Sequence, residues 1–275
     1  MNVKAVIVAA GYGTRFLPGS RVVPKELLPI GGRPGIDLVI DELRDAGIRD
    51  VLIITSRRKR SIEDWFDRDP ELEMALGAQR VAPPDIRATF VRQAQMTGTG
   101  HALLLARAFA GNDPVIVVYP DDLFVGANPT AELIAAWVAT GRSALLARDL
   151  PGTDVSRYGV LDLESGSGSV RRVRRLIEKP PKGTEPSTWV SLGRYLLLPE
   201  VFDALEAGAK AHEGGEYYHV PAINLLAEKG AVVAVASAAS YLDTGTPEGW
   251  IRACVQAEIR RDPTFLTWLK AETAP

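Results

Sequence analysis

The chain has 275 residues, with 46% hydrophobic and 24% charged side chains, a composition typical of globular rather than disordered proteins. Its length allows one large α/β domain or two small ones. The net charge of −2 and the isoelectric point near 6.0 provide no overall positive field for binding a nucleic acid. An anionic small molecule would therefore have to be met by local cations and peptide N–H groups.

The cysteine content and the lengths of the apolar runs indicate the cellular compartment in which the protein works. The only cysteine, Cys254, cannot form an internal disulfide, as is usual in a reducing compartment. The apolar run at residues 5–10 is too short for a signal-peptide core. The run at 231–239 is far below the ~20 residues that span a bilayer. We therefore expect a cytoplasmic protein without a membrane partner.

The first half of the chain alternates apolar runs with amphipathic segments. Short β-branched runs predict strands at residues 3–8, 51–55, 88–91, 115–119 and 144–147. The spacing of apolar residues predicts helices at 36–46, 62–66, 100–109 and 131–138. This alternation predicts a mainly parallel sheet with helices on both faces. Ligands of such sheets bind beyond the carboxyl ends of the strands, here after Val8 and after Tyr119.

The second half predicts a more mixed arrangement. Strands are expected at residues 158–163, 170–178, 190–197 and 232–236, and a Gly/Ser turn at 165–169 joins the first two. Helices are expected at 199–207, 221–229 and 247–260. The basic run at 171–175 lies on the predicted hairpin without interleaved aromatic residues, which is typical of a solvated face. We expect an α/β fold with a Rossmann-like, mainly parallel or mixed central sheet flanked by helices.

A glycine-rich loop, Ala9-Ala10-Gly11-Tyr12-Gly13-Thr14-Arg15, follows the first predicted strand. Glycines let peptide N–H groups approach phosphate oxygens closely. A dinucleotide fingerprint would need glycine where Phe16 stands and an acidic residue after the second strand, so a nicotinamide oxidoreductase is disfavoured. A P-loop is excluded because Gly-Lys-Ser/Thr is absent. Arg15 and Lys25 add two cations, which suit a triphosphate and departing pyrophosphate.

Residues 9–30 resemble the signature segment of the sugar-1-phosphate nucleotidyltransferases. Val23-Pro24-Lys25-Glu26 and residues 57–67 are most similar to the bacterial UTP–glucose-1-phosphate uridylyltransferases within this family. The resemblance covers about residues 3–255, with five motifs in the family's order. It implies a single nucleotidyltransferase domain over 1–275, with a nucleotide-binding half (1–125), a sugar-binding half (126–246) and a C-terminal helical segment (247–275). Without the resemblance, the basic run at 57–60 would predict a solvated helix start.

The resemblance assigns roles in the glycine loop and in residues 93–101. It implies that Arg15 and Lys25 are catalytic. It also implies that the nucleotide is bound by Ala9, Ala10, Gly11, Gly13 and Thr14. Gln93 and Gly98 match the glutamine and glycine that contact the base in the family. A glutamine amide offers a donor and an acceptor to a pyrimidine, whereas this stretch taken alone would be a loop that starts a helix.

Two acidic motifs stand far apart in the chain. Asp121 and Asp122 follow the strand predicted at 115–119, and Asp243 lies in the segment Leu242-Asp243-Thr244-Gly245-Thr246. Magnesium is typically held by one or two protein carboxylates together with substrate phosphates and water. Taken alone, these aspartates would be turn formers or helix caps. The resemblance implies that Asp121 and Asp243 bind Mg²⁺ and that Asp122 faces the sugar.

Four further positions match the sugar-binding positions of the family, namely Gly159, Glu178, Lys179 and Gly193. A carboxylate can accept hydrogen bonds from sugar hydroxyls, and an ammonium can pair with the phosphate of the sugar. Without the resemblance, Glu178 and Lys179 would be interpreted as an exposed ion pair at a strand end.

The resemblance implies a magnesium-dependent enzyme that makes UDP-glucose and pyrophosphate from UTP and glucose 1-phosphate. We expect small-molecule substrates, no nucleic-acid or membrane partner, and a homo-oligomer. A glucose-1-phosphate thymidylyltransferase is an alternative, because residues 94–97 lack the proline usual in the uridylyltransferases and residues 242–246 resemble the thymidylyltransferases. The bases differ by one methyl group, which changes binding by only ~1–3 kcal/mol. A non-catalytic nucleotide-sugar-binding regulator is a third hypothesis, against which the intact Arg15, Lys25, Asp121 and Asp243 argue.

Overall fold

The computed structural model of the chain describes residues 2–77 and 84–273. The strands of these residues form one nine-stranded sheet and two small two-stranded sheets. The strands are β1 (Lys4–Val8), β2 (Pro29–Ile30), β3 (Arg33–Pro34), β4 (Asp50–Thr55), β5 (Arg87–Arg92), β6 (Val115–Val118), β7 (Asp122–Val125), β8 (Ser143–Asp149), β9 (Gly159–Leu163), β10 (Val170–Glu178), β11 (Trp189–Leu197), β12 (Val232–Ala236) and β13 (Ser240–Asp243). Their order across the large sheet is β5-β4-β1-β6-β11-β8-β12-β10-β9.

The strands β5, β4, β1 and β6 form the parallel part of this sheet. β1 pairs in parallel with β4 and with β6, and β4 pairs in parallel with β5. All four residues of β6 are buried, as are all but the first of β4. Burial on both faces explains why these strands have unbroken apolar runs. The carboxyl ends of β1 and β6 therefore open at the same edge of the sheet.

β11 joins the parallel part to the mixed part. It runs antiparallel to β6 and to β8, and β8 pairs in parallel with β12. The register of β11 shifts between Ser191 and Tyr195, and its earlier residues also pair with β9. β9 and β10 form the predicted antiparallel hairpin, on which Arg172, Arg174 and Arg175 are exposed.

Helices cover both faces of the large sheet. They are α1 (Gly35–Asp45), α2 (Arg60–Phe66), α3 (Pro70–Leu76), α4 (Thr99–Leu104), α5 (Arg107–Ala110), α6 (Pro129–Thr140), α7 (Glu200–Ala211), α8 (Val220–Glu228), α9 (Pro247–Arg261) and α10 (Thr264–Glu272). Apolar residues of α4, α7 and α8 pack on one face, and those of α1, α2, α6 and α9 pack on the other. Within the described ranges, no helix has both the length and the apolar character needed to cross a membrane.

The predicted α/β class, with a mixed central sheet flanked by helices, is confirmed. The helix predicted at 100–109 is wrong in one respect, because α4 and α5 are separate. At the break, Leu105 and Ala106 donate to carbonyls three residues earlier, which tightens the turn and ends the α-helical pattern. The short strands β7 and β13 were not predicted, since four residues carry too little periodicity to be recognised. The helix α10 lies within the C-terminal segment 247–275 that the resemblance implied to be helical, although its own bounds were not predicted, and it buries no residue fully.

Candidate active site

A cleft lies at the edge where β1 and β6 end. It has two adjoining compartments of about 470 and about 550 Å³. The loop compartment is lined by the glycine loop and by Lys25, Gln93 and Gly98. The strand compartment is lined by residues at the start of β9, at the end of β10 and in the middle of β11. Both compartments share Thr99, Tyr119, Asp121 and Tyr218, so Asp121 stands at their junction.

The glycine loop forms one wall of the loop compartment. Ala10, Gly11 and Thr14 line this compartment directly. Ala9 is buried behind it, and its N–H group still donates to Ile54 of β4 at 2.9 Å. Gly13 has a φ of 64°, which favours glycine. A side chain at Gly13 would meet the stem of Lys25 at 3.7 Å, so the loop and Lys25 are closely packed.

Lys25 and Asp121 form an ion pair at the junction of the compartments, with Nζ 2.5 Å from Oδ2. Burial opposes the charge of Lys25, but the carboxylates of Asp121 and Glu26 outweigh it and raise the pKa of this lysine. Burial likewise disfavours ionised Asp121, yet the charge of Lys25 outweighs it and lowers the pKa of this aspartate. Both members of the pair are therefore charged at neutral pH.

Asp121 and Asp243 converge on Gly245. A Cβ atom at Gly245 would lie 2.9 Å from Asp121 Oδ2, 3.1 Å from Asp243 Oδ1 and 3.5 Å from Arg15 Nη1. Pairing of β7 with β13 sets Asp243 opposite Asp122, and Thr244 donates its N–H and its hydroxyl to the Asp121 carbonyl, each at 2.8 Å. The absent side chain of Gly245 thus leaves a space faced by two carboxylates and one guanidinium.

The chemistry of this space fits a hard divalent cation. Two carboxylate oxygens facing one point are what such a cation takes from a protein when phosphates and water complete its shell. Residues 2–77 and 84–273 contain no group of three or more His, Cys, Asp or Glu side chains arranged around a metal position. The remaining ligands would therefore have to come from a substrate and from water.

The predicted sugar-binding residues all line the strand compartment, namely Asp122, Gly159, Glu178, Lys179 and Gly193. The two glycines make room for carboxylates. A Cβ atom at Gly193 would lie 1.9 Å from Asp122 Oδ2, and one at Gly159 would lie 3.1 Å from Glu178 Oε2. Lys179 has a φ of 46°, the only positive φ at a non-glycine residue in the described part of the chain. Strained backbone of this kind clusters at functional sites.

Asp122 has an unusual environment. Its Oδ1 accepts a short hydrogen bond from the Tyr241 hydroxyl. Burial, together with repulsion from Asp121, raises the pKa of Asp122 to about 7. Tyr241 lies on β13 and lines the strand compartment. It was not predicted as a site residue, because its partner Asp122 lies 119 residues away in the chain.

Gln93 and Gly98 face each other in the loop compartment. The Gln93 Nε2 donates to the Gly98 carbonyl at 3.0 Å, and the Oε1 of this buried side chain is a hydrogen-bond acceptor. Gly98 has a φ of 101°, and a Cβ atom there would lie 2.3 Å from the Tyr217 carbonyl oxygen. Only glycine fits at this position, since both the backbone conformation and the contact exclude a side chain.

His219 was not predicted as a site residue. Its side chain is buried, and its ring packs against Tyr119 and Tyr195 with centroids 6.1 and 5.4 Å away. The Nδ1 atom lies 2.7 Å from the Thr99 hydroxyl. Burial lowers the pKa of His219 to about 4, so the ring is neutral at pH 7. Its hydrogen bond to Thr99 braces the wall shared by both compartments.

The expectation that residues 57–60 form a solvated helix start is wrong for one of them. Arg57, Arg58 and Arg60 are exposed, but Lys59 is 5% exposed. Lys59 precedes the first residue of α2 and turns inward. Its ammonium reaches the Ala9 carbonyl at 2.7 Å and the Glu26 carboxylate at 2.7 and 2.8 Å. These acceptors offset the cost of burying the charge.

The chain is similar to known proteins over nearly its whole length. A family model described as nucleotidyl transferase matches residues 4–259. A UTP–glucose-1-phosphate uridylyltransferase of Staphylococcus epidermidis is 38% identical over 278 residues, covering 98% of this chain and 96% of the relative. Uridylyltransferase 2 of Staphylococcus saprophyticus, named for the same substrates, is 36% identical over 94% of this chain and 92% of its own length.

Solved structures give the same result. The UTP-bound UGPase from Acinetobacter baumannii superposes with a TM-score of 0.87 at 28% identity, covering 98% of both chains. A UDP-glucose pyrophosphorylase complexed with UDP-glucose superposes with a TM-score of 0.84 at 33% identity, covering 95% of this chain and 100% of the other. A Bacillus anthracis protein described as a candidate glucose-1-phosphate thymidylyltransferase shares the fold, with a TM-score of 0.74 at 24% identity over 93% of this chain.

Proposed function

The chain belongs to the nucleotidyl transferase family, and we propose that it is a UTP–glucose-1-phosphate uridylyltransferase, which makes UDP-glucose and pyrophosphate. The uridylyltransferases named above, with 36–38% identity over nearly the whole chain, support this substrate pair. So do the UTP-bound and UDP-glucose-bound structures that it resembles. The resemblance found in the sequence is thus confirmed for the family, and the protein is a nucleotidyltransferase enzyme.

The observation that carries this proposal is the meeting of Arg15, Lys25, Asp121 and Asp243 at the junction of two compartments. A nucleotidyl transfer needs a nucleotide and a sugar phosphate on either side of one phosphorus atom, with cations between them. The loop compartment would take UTP and the strand compartment would take glucose 1-phosphate. Asp121, which lines both, would then stand beside the reacting phosphate.

In the loop compartment we assign the phosphates to the peptide N–H groups of Ala10, Gly11, Gly13 and Thr14. Ala9, whose N–H donates to Ile54, would bind the nucleotide only indirectly, by anchoring the start of this loop. We assign the uracil to Gln93 and Gly98. The Gln93 Oε1 atom, the acceptor of the amide whose Nε2 donates to Gly98, would accept a hydrogen bond from the N3–H group of uracil. The hydrogen bond from Gln93 to the Gly98 carbonyl fixes these two residues relative to each other in the loop compartment.

In the strand compartment we assign the sugar to Asp122, Gly159, Glu178, Lys179 and Gly193. The carboxylates of Asp122 and Glu178 would accept hydrogen bonds from hexose hydroxyls. The space kept open by Gly193 and Gly159 beside these carboxylates supports a bound ring. The Lys179 ammonium would pair with the phosphate of the sugar.

The transfer itself would be an in-line attack by a phosphate oxygen of glucose 1-phosphate on the α-phosphorus of UTP. The bond from this phosphorus to the bridging oxygen of pyrophosphate breaks as the new phosphorus–oxygen bond forms, so pyrophosphate leaves with its electron pair. Arg15 and Lys25 would neutralise the charge that grows on the α-phosphate and on pyrophosphate. A magnesium ion held by Asp121 and Asp243 would supply further neutralisation and fix the phosphates.

The organisation of the chain follows from these assignments. We propose a nucleotide-binding half over residues 1–125, a sugar-binding half over 126–246 and a C-terminal helical segment over 247–275. We also propose that the enzyme works in the cytoplasm as a homo-oligomer. Size-exclusion chromatography with light scattering measures its mass in solution, and a monomer would contradict the oligomer.

The deciding experiment measures pyrophosphate release with glucose 1-phosphate and magnesium, comparing UTP with dTTP. Variants Asp121→Ala and Asp243→Ala are compared with Asp67→Asn, at an exposed aspartate outside the cleft. We expect preference for UTP, loss of turnover in the first two variants and wild-type turnover in the third. Preference for dTTP would replace the uridylyltransferase by a thymidylyltransferase. Binding of UDP-glucose without any turnover would support the non-catalytic regulator instead.

A further inference from the structure

We propose that Lys59 is a positioning residue of the transfer reaction, which neutralises Glu26 and holds the glycine loop so that Lys25 stays directed toward Asp121 and the substrate phosphates. This inference rests on the proposed nucleotidyl transfer. It concerns a side chain outside the two compartments, in the basic segment 57–60.

Lys59 is buried, and its ammonium group has a full set of hydrogen-bond acceptors. Its ammonium has three protons and three acceptors, namely the Ala9 carbonyl at 2.7 Å and the two Glu26 oxygens at 2.7 and 2.8 Å. Lys59 is 5% exposed and Glu26 is 3% exposed. Burial lowers the pKa of Lys59 against the opposing pull of Glu26. A buried pair of this kind is weak support for stability by itself, so its position beside the active site points to another role.

The bond to Ala9 acts on the phosphate-binding loop. Ala9 is held on both sides, since its N–H donates to Ile54 and its carbonyl accepts from Lys59. A carbonyl oxygen turned toward a triphosphate would repel it, whereas a carbonyl drawn back by an ammonium leaves the following N–H groups for the phosphates. Lys59 thereby fixes the direction of the peptide at the start of the loop.

The bond to Glu26 acts on Lys25. Glu26 adjoins Lys25 in one turn of 3₁₀-helix and lines the loop compartment. Its charge already raises the pKa of Lys25, together with Asp121. If Lys59 lost its charge, Glu26 would be a buried carboxylate without its partner, and Lys25 would be the adjacent cation. We expect Lys25 to move toward Glu26, away from Asp121 and the phosphates, because an uncompensated buried charge is costly.

The test uses Lys59→Met, which removes the charge and keeps an unbranched stem, and the double variant Lys59→Met/Glu26→Gln, which removes both charges. Arg60→Met is the matched control, since Arg60 is the next residue and its side chain is 81% exposed. Pyrophosphate release gives kcat and KM for each substrate, and thermal unfolding gives the midpoint of each variant. Calorimetric titration with UDP-glucose gives binding without turnover.

We expect Lys59→Met to lower kcat about tenfold or more and to leave the KM for glucose 1-phosphate within about threefold. The double variant should regain most of the lost kcat, because no carboxylate is left to draw Lys25 away. Lys25→Met should lower kcat much less when it is introduced into Lys59→Met than when it is introduced into the wild type. If Lys59 had only a structural role, Lys59→Met would lower the unfolding midpoint. The effects of Lys59→Met and Lys25→Met on kcat would then be additive.

Two results would overturn the inference. One is an unchanged kcat in Lys59→Met at full folding, and the other is additive losses for Lys59→Met and Lys25→Met. Failure of the proposed function is recognised separately, because the wild type and Arg60→Met would then release no pyrophosphate either.

Discussion

Arg194 and Glu42 form a bidentate ion pair beneath the active site, with Nε 2.9 Å from Oε1 and Nη2 2.7 Å from Oε2. Arg194 has no exposed surface. Its Nη1 donates to the carbonyls of Tyr119 and Gly193, each at 3.3 Å. The pair thus joins α1 and β11 to the peptide that precedes Pro120 and Asp121. The turn that carries Asp121 and the glycine beside Asp122 are therefore held by the same guanidinium.

We predict that Arg194→Met destabilises the protein by about 3 kcal/mol, because it leaves the Glu42 carboxylate, whose side chain is only 10% exposed, without its cation. Arg194→Lys should also destabilise it, since an ammonium cannot reproduce the planar fork. Urea unfolding of each variant measures these changes. A double variant, Arg194→Met/Glu42→Gln, should lose clearly less than the two single losses combined. A loss of less than about 1 kcal/mol of stability in both Arg194→Met and Arg194→Lys would contradict the structural role of Arg194.

The elements that the sequence predicted well share one property, a strong local pattern. The strand at 51–55 and the helix at 36–46 have apolar residues at the spacing of their type, and both are found within a residue of their expected bounds as β4 and α1. The residues suggested by the resemblance also come together, since the cleft collects ends of strands that lie far apart in the chain.

What could not be predicted depends on partners distant in sequence. Lys59 and Arg194 are basic residues, which usually lie at the surface, but their carboxylate partners are 33 and 152 residues away. Nothing local distinguishes Lys59 from its exposed neighbours. The pairing of β7 with β13, which sets Asp122 opposite Asp243, likewise joins two four-residue segments without a recognisable pattern of their own.

Gly98→Ala is predicted to damage the loop compartment. The new Cβ would lie 2.3 Å from the Tyr217 carbonyl oxygen, so the 97–100 loop would move away from Gln93. We expect the KM for UTP to rise about tenfold or more. Gly126→Ala is the matched control, because Gly126 has a similar φ of 94° and no atom within 4 Å of its Cβ position. Equal effects of the two substitutions on KM would show that backbone strain alone is responsible.

Gly193→Ala is predicted to act on the sugar. Its Cβ would lie 1.9 Å from Asp122 Oδ2, so the carboxylate would leave its position in the strand compartment. The KM for glucose 1-phosphate should rise about tenfold or more, with a smaller change in the KM for UTP. Gly19→Ala, where no atom lies within 4 Å of the Cβ position, should leave both values near those of the wild type. A selective loss of UTP binding in Gly193→Ala would contradict the assignment.

His219 gives a prediction for the pH dependence of stability. Its pKa of about 4 in the folded protein lies below the ordinary 6.5, so between these values the unfolded chain binds the extra proton and the folded chain does not. Its contribution to the free energy of unfolding is therefore fully present above pH 6.5 and is lost as the pH falls toward 4. Tyr119 and Tyr195, which pack on the ring, have pKa values raised by burial and stay neutral throughout.

The matched variant is His219→Asn, which keeps a polar group near Thr99 and has no titration in this range. Between about pH 7 and about pH 5, the wild type should lose about 2 kcal/mol more stability than His219→Asn, at 1.36 kcal/mol for each pH unit below 6.5. Urea unfolding of both proteins at the two pH values measures the difference. Titration of Asp122 and other groups contributes to both proteins alike, so comparing them isolates the histidine. Parallel losses in the two proteins would mean that His219 titrates equally in the folded and unfolded states, contrary to its burial between the two tyrosines.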